Sequence, residues 1–169
     1  MDHSIELIYD ADIEVAVRHI WDALRDAGIP SQSPASRPHT TVAVAAHIPA
    51  EVDATLVGLL GHFPLPCRLG ATLLFGRSAA VLARLVVPSA ALLRTHAEVH
   101  RACLPFLLPN PLPHNDEGQW TPHVTLARRV SPARLAAAQR IAGRPDEIAG
   151  SIVGLRRWEG DKKVEHLIT

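Results

Sequence analysis

Pro38-His39-Thr40-Thr41-Val42-Ala43 and Pro122-His123-Val124-Thr125-Leu126-Ala127 are near copies of one another, 84 positions apart. In each, a histidine and a threonine stand two apart, entered through a proline and followed by apolar residues. Proline pushes the residue before it towards extended geometry and is tolerated at the first position of a strand. The runs Thr40 to Ile48 and Val124 to Val130 are rich in Val, Thr and Ala, so both segments read as strands. Residues i and i+2 of a strand share a face. His39 is therefore expected to point with Thr41, and His123 with Thr125. In a chain with ten histidines a lone His-x-Thr carries little weight. The preceding proline, the strand-like sequel and the repeated surroundings give the pair its specificity.

Outward from the motifs, the two halves repeat an order. Ser4 to Tyr9 reads as a strand and Ala11 to Ala27 as an amphipathic helix, with Ile13, Val17, Ile20, Trp21 and Leu24 on one stripe and Gly28 and Pro30 closing it. A proline-punctuated loop, Ser31 to Pro38, leads into the first motif. Pro49 to His62 reads as helix, and Leu65–Phe75 with Ala79–Val87 as a hairpin turning at Gly76-Arg77-Ser78. Ser89 caps a helix expected to run to about Phe106. A second loop, Leu108 to Gln119, leads into the second motif. Ser131-Pro132 starts a helix to Ala142, and Glu147–Trp158 and Lys163–Ile168 form a last pair of strands. Helix, loop, His-x-Thr strand, helix and two strands occur twice, after one extra leading strand. The expected fold class is α+β: two pseudo-symmetric lobes, each an antiparallel sheet backed by helices, with both motifs facing a central cleft. One domain over 1–169 is expected, with lobes near 1–88 and 89–169 and strand exchange between them open.

Bulk properties narrow the function classes. Hydrophobic content of 47% and charged content of 20% fit a soluble globule. No apolar run reaches the ~18 residues of a membrane helix, so no membrane partner is expected. Net charge is zero, with −3 in residues 1–88 and +3 in residues 89–169, which does not fit a protein that coats nucleic acid. Cys67 and Cys103 match no metal or redox spacing and read as buried thiols, suiting a cytoplasmic location. His96 and His100 have the i,i+4 spacing of a zinc pair, but the glutamate falls at Glu98 and no third ligand suggests itself, so neither a metal nor another cofactor is expected.

The paired motifs resemble those of the 2H phosphoesterase superfamily, and Trp120-Thr121-Pro122-His123-Val124-Thr125-Leu126-Ala127-Arg128 is similar to its 2′-5′ RNA ligase and RNA 2′,3′-cyclic phosphodiesterase branch. The resemblance implies two lobes flanking one site and a metal-independent reaction. It also implies an RNA 2′,3′-cyclic phosphate end or a small cyclic nucleotide as partner, opened to a 2′-phosphate, with 2′-5′ ligation as the reverse. An ADP-ribose-type cyclic phosphate, or a non-catalytic RNA- or nucleotide-binding role, are the competing readings. A monomer is expected.

Chemistry agrees with the resemblance. Opening a cyclic phosphodiester removes one proton from water and delivers another to the leaving oxygen, which two groups titrating near neutrality can do. His39 and His123 are the expected acid–base pair, with Thr41 and Thr125 binding phosphate; which histidine is acid is open. Arg128 is a candidate phosphate ligand, since a guanidinium suits phosphate. Strict alternation, however, puts it opposite His123, so contact requires a bulge or a strand end; otherwise it is a surface arginine beside Arg129. Trp21 reads as core. Trp120 either covers the core or stacks on a base, and His47 and His114 read as exposed.

Overall fold

The computed structural model describes residues 2–76, 78–107 and 113–169. Its elements are β1 (His3–Tyr9), α1 (Ala11–Asp26), β2 (His39–Ala45), α2 (Val52–Val57), β3 (Leu65–Phe75), β4 (Ala80–Val86), α3 (Ala90–Cys103), β5 (His123–Val130), α4 (Leu135–Ala142), β6 (Ile148–Glu159) and β7 (Val164–Leu167). Local chemistry sets most boundaries. The Asp10 side chain accepts the Ile13 N–H at 3.0 Å at the start of α1, and Gly28 ends that helix region with a φ of 71° that side chains avoid. Ser89 Oγ accepts the Leu92 N–H at 3.1 Å and caps α3.

Two expected helices are shorter than their periodicity suggests. Pro49 to His62 contains only α2 and a 3-10 turn at Leu60–His62, because Gly58 and Gly61 interrupt the run. The helix after Ser89 becomes a 3-10 turn at Leu104–Phe106, where Pro105 offers no N–H to continue it. In the loop before the second motif, Pro113–Asn115 forms a 3-10 turn, while residues 108–112 lie outside the described part. So does Arg77 of the expected hairpin turn.

The strands form one antiparallel sheet in the order β2-β1-β6-β3-β4-β5, with β7 paired to β6. The order divides into β2-β1-β6 and β5-β4-β3, joined where Leu65–Leu69 of β3 pair with Ile148–Ile152 of β6. The repeat is therefore β-α-β-α-β: β1-α1-β2-α2-β3, then β4-α3-β5-α4-β6. The leading strand that lacks a counterpart in the sequence reading has one in β4, and the unmatched strand is β7. Each repeat's third strand pairs with the other repeat's first, β6 with β1 and β3 with β4. Helices cross over as well: α1 packs on β5 and β6, and α3 on β2. The predicted stripe of α1, Ile13 through Leu24, is buried in the resulting core. The approach of α1 to β6 is close at Gly150, where a Cβ would lie 2.7 Å from Ile13. Among the described residues no helix is long and apolar enough to cross a membrane.

Candidate active site

The two His-x-Thr strands are the two ends of the sheet path, and they meet without a backbone ladder between them. Side chains do the joining. Thr40 Oγ1 donates to the His123 carbonyl at 2.9 Å and stands 2.6 Å from the Tyr9 hydroxyl, which supplies the complementary donor. Trp120 Nε1 donates to the Thr41 carbonyl at 2.9 Å, and Trp21 Nε1 to the Thr125 carbonyl at 3.1 Å. Each indole thus ties the backbone of one motif to an element from the other repeat. Thr40 is the residue that sequence reasoning missed at the site. Trp21 is expected in the core and Trp120 in the core or on a base, and only their bonds to the motif carbonyls were not foreseen. Alternation turns Thr40 away from the cleft, and its partner is 83 positions away.

The histidines are held alike. His39 Nδ1 lies 2.8 Å from the Arg37 carbonyl and His123 Nδ1 lies 2.7 Å from the Thr121 carbonyl, two residues upstream in both cases. A proton on Nδ1 satisfies each carbonyl and turns Nε2 outward. His39 differs in that Arg156 Nη2 also stands 3.3 Å from its Nδ1 and Glu6 faces its Nε2. Thr41 and Thr125 are half-buried, and neither hydroxyl takes part in a side-chain hydrogen bond among the described residues.

Arg128 is on the cleft side because β5 carries the bulge that the sequence reading required. Ala83 is opposite Thr125 and Leu82 is opposite Ala127, so Leu126 is surplus. A second shift follows at Arg128–Arg129, between the pairs Leu82–Ala127 and Ala80–Val130, where Arg129 has a φ of 54°. The first motif bulges at the same offset: Glu6 is opposite Thr41 and Ile5 opposite Ala43, leaving Val42 surplus. Val44 is consequently the counterpart of Arg128, and both line a cavity of about 940 Å³ with His39 and Thr41. His123 and Thr125 are not among that cavity's lining residues; His123 instead rests against Phe75, with ring centroids 4.7 Å apart.

The electrostatics of the two histidines differ. Burial lowers the pKa of His123 from its ordinary value, and the charges of His39 and Arg128 act in the same direction against the bond to the Thr121 carbonyl. His39 lies in a charged network: its Nε2 is 3.5 Å from Glu6 Oε1, while Glu6 accepts Arg156 Nε at 2.6 Å and Ser4 Oγ at 2.5 Å. Arg156 also binds Glu165 at 2.6 Å, and Arg37 joins Glu165 to Glu14. Burial opposes ionisation of Glu165, but the charges and hydrogen bonds of Arg156 and Arg37 outweigh it and hold its carboxyl below the usual range.

The remaining candidates are elsewhere. Trp21 and Trp120 both pack on the core, and the Trp120 ring stacks on His96 at 3.9 Å and 8°. His96 and His100 are buried, and no cluster of three or more metal-ligating side chains occurs among the described residues. His47 and His114 are exposed. Cys67 and Cys103 are buried free thiols, and burial pushes both up to about 12.

Known proteins share this architecture. The structure is similar to Escherichia coli LigT in apo form (TM-score 0.62, 17% identity, 99% of this chain and 94% of that one covered) and to TT0787 of Thermus thermophilus (0.61, 21%, 100% and 96%). It is also similar to Usb1 of Kluyveromyces marxianus (0.55, 12%, 99% and 97%). LigT has been solved with 3′-AMP and Usb1 with uridine monophosphate. No curated protein sequence matches. The model of the 2′-5′ RNA ligase superfamily matches residues 11–163, and the chain belongs to that superfamily.

Proposed function

We propose that the protein is a 2′,3′-cyclic phosphodiesterase that opens the cyclic phosphate of an RNA end or small nucleotide to a 2′-phosphate. The observation that carries this reading is the pair of histidines, each held through Nδ1 by the carbonyl two residues upstream, on strands that meet across the cleft. Such a pair can act on both sides of one phosphorus. The nucleotides bound by LigT and Usb1 support a nucleotide substrate, and family membership supports phosphoester chemistry.

In this reading His123 is the base, since its surroundings favour the neutral imidazole. It takes a proton from the attacking water as the new P–O bond forms. His39 is then the acid, protonating the 3′-oxygen as the P–O3′ bond breaks. The step leaves a 2′-phosphate and the two histidines in exchanged protonation states. Thr41, Thr125 and Arg128 bind the non-bridging oxygens, where negative charge accumulates in the transition state. The same step gives 2′-5′ ligation when an RNA 5′-hydroxyl takes the place of water as the nucleophile.

The test is incubation with nucleoside 2′,3′-cyclic phosphates and with an oligoribonucleotide ending in one, in the presence of EDTA, with the phosphate isomers separated. Exclusive 2′-phosphate is expected. Formation of 3′-phosphate, or loss of activity in EDTA, would overturn the reaction as written.

A further inference from the structure

We propose that the sheet beside the reacting phosphate carries a nucleobase subsite with Trp158 as its platform. The inference rests on the phosphodiesterase reading of the cleft and names how that site holds its substrate.

The antiparallel registers define the geometry. Glu6 of β1 stands opposite Thr41 of β2 on one side and Arg156 of β6 on the other, giving a row Thr41–Glu6–Arg156. Two residues along, Ser4 stands opposite Val44 and Trp158, giving a second row Val44–Ser4–Trp158 on the same face. All six side chains line the cavity that holds His39 and Arg128. Successive same-face rows of a sheet are about 7 Å apart. That separation is of the order of the reach from a phosphate on the ribose to the base on the same ribose.

Trp158 differs from the other two tryptophans. Trp21 and Trp120 pack on the hydrophobic core and donate their indole N–H groups to motif carbonyls. Trp158 does not belong to that core, is half-buried, and among the described residues is the only Phe, Tyr or Trp ring lining the cavity. A large aromatic ring left facing a polar cavity is suited to stack on a flat heterocycle. Its position is fixed: the Arg156 guanidinium sits 5.1 Å from the ring centroid and is itself anchored by Glu6 and Glu165. Ser4 and Val44 are small beside it and line the same cavity. Lys163 and Asp2 line the same cavity and offer a cationic donor and a carboxylate acceptor to the polar edge of a base.

The experiment compares the wild-type protein with Trp158→Ala and Trp158→Phe on two substrates, a nucleoside 2′,3′-cyclic phosphate and base-free methyl ribofuranoside 2,3-cyclic phosphate. The proposal expects the wild type to prefer the nucleoside substrate by about tenfold or more in kcat/KM, the scale of one base–aromatic stack. Trp158→Ala loses that preference through KM while the base-free substrate turns over as before, and Trp158→Phe keeps most of it. Equal loss on both substrates, or an unchanged preference, overturns the subsite. Titration of the same variants with a nucleoside 2′-monophosphate and with inorganic phosphate reads the subsite without turnover. A selective loss of nucleotide affinity in Trp158→Ala supports it, and equal affinities overturn it. An absence of turnover on either substrate with the wild type would instead count against the phosphodiesterase reading.

Discussion

Arg128 and Thr40 show how single residues acquire roles at this site. Arg128 reaches the cleft where the β4–β5 ladder is irregular, with Leu126 surplus and a second shift at Arg128–Arg129, and its charge helps lower the His123 pKa. Removing that charge should raise the pKa, since a nearby cation disfavours the imidazolium. In the wild type the acidic limb of kcat/KM is therefore expected below the ordinary histidine value of about 6.5. In Arg128→Gln it should move upward while KM rises; a limb that stays in place would remove Arg128 from the neighbourhood of the base. Thr40 acts at one remove, through the His123 carbonyl. Thr40→Val leaves that carbonyl without its donor and is expected to lower kcat about 10- to 100-fold with KM nearly unchanged, because small displacements of a catalytic group are costly. Thr40→Ser should restore the rate. Steady-state kinetics on the two variants decide this, and equal rates in both would show that the bond positions nothing. The proline-entered His-x-Thr pattern was readable because strand period and histidine chemistry are local properties. The bulges were not readable, because neither Val42 nor Leu126 differs from an ordinary strand residue. Thr40 was hidden for a different reason: its partner belongs to the other repeat.

At the level of elements, the contacts that cross between the repeats hold the motifs in place. The helix before each motif packs on the strand of the other, and Trp21 and Trp120 reinforce the crossing. Trp120 is backed in turn by His96 of α3, which is 2% exposed and whose Nε2 has no partner among the described residues. Burial first, and then the neighbouring His100, push His96 down to about 4. The unfolded chain binds a proton near pH 6.5, well before the folded one does, so folded stability is complete above that pH and falls as pH drops from about 6.5 towards 4. Thermal unfolding of His96→Phe should show a smaller loss of Tm between pH 7 and pH 5 than the wild type; an identical loss would place the acid sensitivity elsewhere. Element types were legible from periodicity and capping, as with the stripe of α1 and the cap at Ser89. Helix ends were less so: Gly58, Gly61 and Pro105 shortened helices that apolar spacing alone extended.

For the molecule as a whole, the repeat was visible as an order of elements, but its phase was not. Sequence order pairs the hairpin β3–β4 as the close of one repeat, whereas the sheet makes β4 the opening of the next and leaves β7 unmatched. Only long-range pairing of β6 with both β1 and β3 reveals this, and no local pattern encodes it. The consequence is that the two motif strands end the sheet path and meet, so the proposed site would draw on both repeats. In the proposed reaction His39 and His123 act there as one acid–base unit. The most direct test is the single-turnover rate of His39→Ala, His123→Ala and the double variant on a nucleoside 2′,3′-cyclic phosphate. Each single variant is expected to lose about 10²- to 10⁴-fold, with the double little worse than either, because members of one catalytic unit are not additive. A near wild-type rate in either single variant would contradict it.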